Sequence, residues 1–86
     1  MKNLRIYDNG GKTYDRYTAV FMDRVDSTYM TDGYLYEALA FNDDPFHPLG
    51  FGQHVTAMPG RHLGKRITLD QLPPKARQFV QQNLED

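Results

Sequence analysis

The sequence predicts an α+β domain, in which a small twisted antiparallel β-sheet carries a C-terminal amphipathic helix packed on one face. Several short runs alternate apolar and polar residues, which is the period of a β-strand. Clusters of Asn, Asp and Gly separate these runs, as expected for turns. The C-terminal segment instead repeats its apolar residues at helical spacing. All 86 residues are expected to form a single domain, because a chain this short builds only one core.

The first two strands are predicted on either side of a turn. Residues 4–7 alternate apolar and polar side chains and end at Asp8-Asn9-Gly10-Gly11, where Asn-Gly favours the positive φ values of a type I′ turn. Residues 14–25 supply the second strand, after a connection longer than a two-residue hairpin loop. Both faces of this strand are largely apolar, which predicts a central position in the sheet. One face carries Tyr17, Ala19 and Phe21, and the other carries Thr18, Val20 and Met22.

The middle of the chain has a less regular pattern. Residues 26–28 and 31–33 are rich in turn formers, and Tyr29 and Met30 between them are expected to be exposed or lightly packed. In residues 34–41 the aromatic side chains favour a strand, whereas the Leu, Glu and Ala residues would suit a short helix. The strand is the preferred interpretation.

The C-terminal third is predicted to contain two short strands and the helix. The strands are expected at residues 55–58 and 66–68. Thr68 and Gln71 have the spacing of a capping box, and the prolines that follow limit this element to a single turn. The helix proper then begins near Pro74, since proline is tolerated in the first turn of a helix. Its apolar stripe consists of Leu72, Ala76, Phe79, Val80 and Leu84.

Residues 41–54 are predicted to be the functional loop. The segment has neither helical nor strand periodicity, and it contains three Phe, two Pro, two Gly and two of the three His residues of the chain. The Phe residues are expected to hold the segment against a core. Polar groups able to do chemistry are therefore concentrated where the backbone is least regular.

The composition disfavours several classes of protein. The chain has no Cys, which removes disulfides and thiolate metal sites and is compatible with a reducing cytoplasm. No apolar run approaches the roughly 20 residues needed to span a bilayer, and no apolar signal segment follows the N-terminus. The formal charge of −1 disfavours a dedicated nucleic-acid binder. We therefore expect a cytoplasmic protein with no cofactor and no membrane contact.

Two catalytic interpretations have simpler alternatives. Gly10-Gly11-Lys12-Thr13 is similar to the end of a phosphate-binding P-loop, but Ile6 stands where the first Gly of that motif belongs, so a turn is favoured. Nucleophilic catalysis of the serine type is disfavoured because the single Ser, Ser27, has no neighbouring base.

The histidines of the predicted loop allow a metal site. His47 and His54 could bind a divalent metal together with carboxylates, which would make the protein a small metal- or phosphate-handling enzyme. The candidate carboxylates are Asp8, Asp15, Asp43 and Asp44. The favoured interpretation is that both imidazoles hydrogen-bond the loop backbone and hold its shape.

Aromatic residues form the remaining candidate site. The Tyr and Phe residues exceed what the interior of one small sheet needs, so some are expected on the surface. Tyr beside Arg and Lys is suited to stacking bases or to a protein-binding hot spot, and the slightly negative charge favours a protein. The predicted binding residues are Tyr7, Asp8, Asn9, Lys12, Asp15, Arg16, Tyr17, Phe46, His47, Phe51, Gln53 and His54.

Two motifs are informative when they are taken together. The first is Ile6-Tyr7-Asp8-Asn9-Gly10-Gly11-Lys12-Thr13, followed by Asp15-Arg16-Tyr17-Thr18. The second is Pro45-Phe46-His47-Pro48, followed by Gly50-Phe51-Gly52-Gln53-His54. They resemble a family of small uncharacterised proteins encoded by bacteriophages, plasmids and related mobile elements. That family also tends to end in a Leu-Gly-Lys-Arg-Ile segment and a Leu-Pro-containing helix, as residues 63–84 do, whereas Leu49 stands where a Gln is expected.

The resemblance implies a small accessory protein made inside bacteria, where such genes often modulate or block host machinery, including defence systems. We therefore expect a non-enzymatic protein that binds, and can inhibit, a bacterial host protein or nucleoprotein complex. Two alternatives stay open. One is the metal- or phosphate-handling enzyme, and the other is a nucleic-acid-binding module. The latter would use Lys65, Arg66, Lys75 and Arg77.

Overall fold

The structure is a computed structural model that describes residues 3–26 and 35–84. These residues form five β-strands, two short 3-10 helices and one α-helix. The strands are β1 (Leu4–Asp8), β2 (Tyr17–Asp26), β3 (Leu35–Phe41), β4 (Gly52–Ala57) and β5 (Lys65–Ile67). The 3-10 helices are Arg61–Leu63 and Leu69–Gln71, and the α-helix, α1, is Pro74–Leu84.

The strands form one antiparallel sheet in the order β4-β3-β2-β1-β5. β2 is the central strand, as its two-sided apolar pattern predicts. Ala19 and Val20 are neighbours in β2 that face opposite sides of the sheet, and both are fully buried. Because α1 packs on one face of this sheet, the predicted α+β class is confirmed.

The connection between β1 and β2 is a wide turn. β2 begins at Tyr17 rather than at residue 14, where the sequence predicted its start. Residues 9–16, called the turn below, are closed by the Asn9 N–H, which donates to the Arg16 carbonyl at 3.0 Å. The turn projects from the end of the sheet where the pairing of β1 and β2 stops.

The irregular loop is shorter than the sequence predicts. Phe41 ends β3 and Gly52 begins β4, so the loop consists of residues 42–51 rather than 41–54. The ladder with β3 reaches His54, which pairs with Leu39. Residues 52–54 are therefore a strand because they pair with β3, although their local preferences do not predict a strand.

Two other strand predictions are confirmed. β3 confirms the strand interpretation of residues 34–41, and β5 confirms the short strand expected near residue 66. The predictions for the turn-rich region after β2, including Tyr29 and Met30, lie outside the described residues.

The main core lies between α1 and the sheet. The 3-10 turn before α1 has the predicted capping box, in which the Thr68 N–H donates to Gln71 Oε1 at 2.8 Å. α1 then begins at Pro74, as predicted. Its apolar stripe supplies fully buried side chains, while Phe79 and Leu84 are partly buried against the same cluster. The buried members are Ile6, Tyr17, Ala19, Phe21, Leu39, Phe41, Leu72, Ala76 and Val80.

The opposite face of the sheet has a smaller apolar cluster. Tyr7, Val20 and Ala38 are buried there, although α1 lies on the other side. Partly buried residues surround them, including Tyr36 and Val55. Both faces of the central strands are therefore shielded from water.

Four aromatic rings form a continuous column from the core to the surface. Tyr17 stacks on Phe41 with ring centroids 5.6 Å apart. Phe41 contacts Phe79 of α1 at 5.7 Å, and Phe79 contacts Phe46 of the loop edge-on at 5.9 Å. This aromatic column connects β2, β3, α1 and the loop, so the loop is attached to the folded core.

The helices of this fold are short. α1 has 11 residues. Among residues 3–26 and 35–84, no helix has both the length and the apolar character needed to cross a membrane.

The aromatic column predicts a marked effect of Phe79→Ala. Loss of a half-buried ring between Phe41 and Phe46 should lower the free energy of unfolding by about 2 kcal/mol. That loss corresponds to a melting temperature lower by roughly 8 to 16 °C for a domain of this size. Thermal melting followed by circular dichroism measures the change. Gln78→Ala, an exposed neighbour on α1, is the control, and a shift for Phe79→Ala no larger than that control would contradict the packing.

Candidate functional site

The turn is held by hydrogen bonds to its own side chains. Asn9 Oδ1 accepts hydrogen bonds from the N–H groups of Gly11 and Lys12, at 2.8 and 3.1 Å. Asp8 Oδ1 accepts one from the Gly10 N–H at 2.8 Å. The positive φ values fall on Gly10 and Gly11, at 77° and 86°, and not on Asn9. The predicted type I′ turn at Asn-Gly is therefore wrong, and side-chain acceptors direct the chain instead.

The same hydrogen bonds argue against phosphate binding by the turn. A phosphate cradle needs backbone N–H groups that point at the ligand. The N–H groups of residues 10–12 already donate to Asp8 and Asn9. The contacts therefore support a turn rather than a P-loop at Gly10-Gly11-Lys12-Thr13.

Asp8 fixes the side chain of Arg16 at the edge of the turn. The Arg16 guanidinium donates from Nε to Asp8 Oδ1 at 2.8 Å and from Nη2 to Oδ2 at 3.1 Å. Its carbon Cζ also lies 5.3 Å from the centroid of the Tyr17 ring. The Arg16 hydrogen bond, helped by the Gly10 N–H, holds the pKa of Asp8 below its usual range. In the same way, the Asp8 carboxylate raises the pKa of Arg16.

The loop is closed at its base by Asn42. The Asn42 N–H donates to the Phe51 carbonyl at 2.9 Å. Asn42 Oδ1 accepts hydrogen bonds from the N–H groups of Asp44 and Phe51, at 3.2 and 3.1 Å. Near the tip, the Gly50 N–H donates to the His47 carbonyl at 2.7 Å. These contacts give an irregular segment one defined shape.

The two predicted loop histidines have different surroundings. His47 Nδ1 accepts a hydrogen bond from the Leu49 N–H at 3.0 Å, which confirms that this imidazole shapes the loop backbone. His54 instead lies in β4 with an exposed side chain. Within the described ranges, no group of three or more His, Asp or Glu residues is placed to hold a metal ion.

Tyr14 joins the turn to the loop. Its hydroxyl donates to the Leu49 carbonyl. Its ring packs edge-on against Phe51, with centroids 6.1 Å apart and an angle of 77° between the ring planes. The two motifs that the sequence singled out therefore meet in space and form one surface.

An open hollow of about 510 Å³ lies beside this contact. The turn contributes residues 11–14 and Arg16, and the loop contributes Asn42 and Asp43. The lining combines two basic side chains, Lys12 and Arg16, with one carboxylate and an amide. The hollow thus presents charged groups of both signs.

Tyr17 lies below this surface with its ring in the core. Burial raises the pKa of Tyr17 to about 12, and the nearby carboxylate of Asp43 acts in the same direction. The phenol therefore stays neutral at physiological pH and serves as part of the aromatic column.

The structure places the predicted binding residues in four kinds of position. Lys12 and Arg16 line the hollow, and Phe46 and Phe51 lie in the loop with partly exposed rings. Asp8, Asn9 and His47 hold the turn and the loop through the hydrogen bonds described above, and Asp15 is a partly exposed turn residue. Tyr7 and Tyr17 are buried, so a partner cannot reach them directly. Gln53 and His54 belong to β4.

Four residues of this surface are absent from the predicted binding residues. Tyr14 and Leu49 join the turn and the loop, Asn42 closes the loop, and Asp43 lines the hollow. For Leu49 a signal existed, since an apolar residue stands between Pro48 and Gly50, two residues that favour exposed turns. For Tyr14, no local pattern distinguishes it from the buried tyrosines.

The loop geometry predicts that Gly50→Ala disrupts the surface. A Cβ at residue 50 would clash with the Asp44 carbonyl oxygen, so the backbone must move. We expect a lower melting temperature and a loss of the Tyr14 contact with Phe51, visible as a change in near-ultraviolet circular dichroism. Gly60→Ala is the control, because its Cβ meets only the His62 ring, at 3.0 Å or more. Equal behaviour of the two variants would show that the loop does not adopt this shape.

Comparisons of the chain with models of protein families, with curated proteins and with solved structures found no match. The surface formed by the turn and the loop is therefore the main guide to function. Its exposed apolar side chains and its mixed-charge hollow are the features that a function has to explain.

Proposed function

We propose that this chain is a non-enzymatic accessory protein of a phage or mobile element, and that the surface formed by the turn and the loop binds a protein. The partner is a bacterial host protein or nucleoprotein complex, such as a defence system, whose activity the bound protein inhibits. The docking surface consists of the hollow together with Tyr14, Phe46, Leu49 and Phe51. The single observation that carries the proposal is the concentration of exposed apolar side chains on this surface.

Exposed apolar side chains are unevenly distributed. Among the described residues, the large hydrophobic side chains that are exposed are Tyr14 at 62 %, Leu49 at 78 %, Phe46 at 44 % and Met58 at 37 %. Three of these four belong to the turn or the loop. Exposed apolar groups that cluster beside polar ones are typical of protein-binding surfaces, whereas scattered ones are ordinary.

The docking surface is organised before any partner binds. Asp8 and Asn9 hold the turn, Asn42 closes the loop, and Tyr14 joins the two. The aromatic column attaches Phe46 to the core. Binding therefore loses little conformational entropy, which favours affinity for a given contact area.

The side chains of the surface are those that contribute most to protein interfaces. Tyr and Arg are enriched among interface hot spots, since they bury apolar area and keep a hydrogen-bonding group. On this surface the tyrosine is Tyr14 and the arginine is Arg16, whose guanidinium is already oriented by Asp8. A partner with an exposed apolar side chain next to a hydrogen-bonding one would fit both Leu49 and the hollow.

The basic residues give less support to direct nucleic-acid binding. Lys65 and Arg66 are consecutive in β5, so their side chains leave opposite faces of the sheet. Lys75 and Arg77 lie on α1, and α1 packs on only one face of the sheet. A nucleic-acid surface usually gathers such charges on one face. Contact with nucleic acid is therefore better assigned to the partner complex than to this chain.

The proposal predicts that Leu49→Asp abolishes partner capture without unfolding the protein. Leu49 is mostly exposed, so the substitution leaves the core intact while it places a charge in the apolar part of the interface. We expect affinity to fall by more than about tenfold, the loss typical of a hot-spot residue. Tagged, nuclease-treated protein is passed through bacterial host lysate, retained proteins are quantified by mass spectrometry, and the affinity for the purified partner is then measured.

Met58→Asp is the matched control for this experiment. It adds the same charge at an exposed apolar residue that lies outside the turn and the loop. Proteins retained by the wild type and by Met58→Asp, but not by Leu49→Asp, would identify the partner. Retention that is the same for all three would exclude the docking surface as the binding site.

A further inference from the structure

The outer edge of β4 has no strand beside it among residues 3–26 and 35–84. Among the described residues, β4 pairs only with β3, and Gly52, Gln53, His54 and Thr56 are exposed. Natural proteins protect such edges with charged residues, proline, bulges or very short strands, because an open edge recruits another strand. The six residues of β4, Gly-Gln-His-Val-Thr-Ala, include no proline, lysine, arginine or acidic residue.

The other edge of the sheet has the protection that β4 lacks. β5 has three residues, and two of them are Lys65 and Arg66. A short, positively charged edge repels a second copy of itself. The contrast between the two edges indicates that β4 is kept open for a partner strand.

The ladder between β3 and β4 shows which backbone groups face outward. Paired residues of an antiparallel ladder alternate between hydrogen-bonded and non-hydrogen-bonded positions. The Asn42 N–H donates to the Phe51 carbonyl one residue beyond the last strand pair, Phe41 with Gly52, which places residues 42 and 51 at a hydrogen-bonded position. Because the positions alternate along the strand, the N–H and C=O groups of Gln53, Val55 and Ala57 point toward β3. Those of Gly52, His54 and Thr56 face the open edge.

We propose that a second copy of this chain pairs with the open edge, through an antiparallel β4–β4 contact about a two-fold axis at His54. In this register His54 lies opposite the partner's His54, and Gly52 lies opposite the partner's Thr56. All three outward-facing residues of each strand then find partners. In a register shifted by one pair of residues, at least one of the outward-facing residues Gly52, His54 and Thr56 would have no partner.

The charges of the two edges limit the assembly to a dimer. An edge without Lys, Arg, Asp or Glu is self-complementary, because no permanent like charges oppose each other across the axis. The contact is the same on both subunits, and so it closes after two copies. Both ends of the resulting sheet are β5 edges, whose Lys65 and Arg66 oppose further addition.

The dimer would also present two docking surfaces. Phe51 lies three residues from His54, or about 10 Å from the axis at the rise of a β-strand, so the two Phe51 side chains would be roughly 20 Å apart. This consequence depends on the proposed function, whereas the dimer itself does not. Leu49→Asp, which should abolish docking, is expected to leave the dimer intact.

Charge variants at His54 test the proposed register. The mass in solution is measured by light scattering across a dilution series, and the wild type should reach twice the 10.0 kDa of one chain. His54→Glu and His54→Lys should each be monomeric, because like charges face each other across the axis. An equimolar mixture of the two variants should recover the doubled mass, since opposite charges then face each other.

Gln53→Glu is the control, because residue 53 lies on the other face of β4 and opposite the partner's Val55 in this register. It should remain dimeric, and circular dichroism should show that all three variants are folded. A wild type that stays at 10.0 kDa at every concentration would overturn the proposal. Folded His54 variants that dimerise alone, or that fail to associate when mixed, would also overturn it.

Discussion

The aromatic column of Tyr17, Phe41, Phe79 and Phe46 is the interaction on which the rest of the structure depends. A domain this small has few buried side chains, so each contact between the sheet and α1 carries a large share of the stability. Phe79 contacts Phe41 on one side and Phe46 on the other. The same ring therefore holds the helix to the sheet and the loop to the helix. Stability and the shape of the proposed binding surface are for this reason physically linked.

The turn and the loop show how polar residues shape a surface without regular secondary structure. Asn9 and Asn42 each use one amide oxygen to accept two backbone N–H groups. Asp8 accepts from Gly10 and also orients Arg16. Asp8, a candidate metal ligand in the sequence, thus has a structural role, because backbone donors in irregular segments need acceptors. The large apolar side chains that remain exposed on these segments belong to Tyr14, Phe46 and Leu49.

Local periodicity predicted much of the fold but little of the site. The two-sided pattern of β2 and the apolar stripe of α1 are local signals, and both elements were found, although β2 begins three residues later than predicted. Gly52, Gln53 and His54 have weak strand preferences, and only the ladder with β3 makes them a strand. Which tyrosine is exposed is also a tertiary property: Tyr17 is buried and Tyr14 is exposed, although both sit among polar neighbours. No pattern within either motif indicates that Tyr14 reaches Leu49.

The turn and the loop form one preorganised surface, and nuclear magnetic resonance of the free protein tests this claim without any partner. The claim predicts cross-relaxation between the ring protons of Tyr14 and Phe51. It also predicts that the Asn42 amide, which donates to the Phe51 carbonyl, exchanges with solvent as slowly as amides inside the sheet. Absence of the ring contacts, together with an Asn42 amide that exchanges as fast as in an unfolded chain, would contradict the claim.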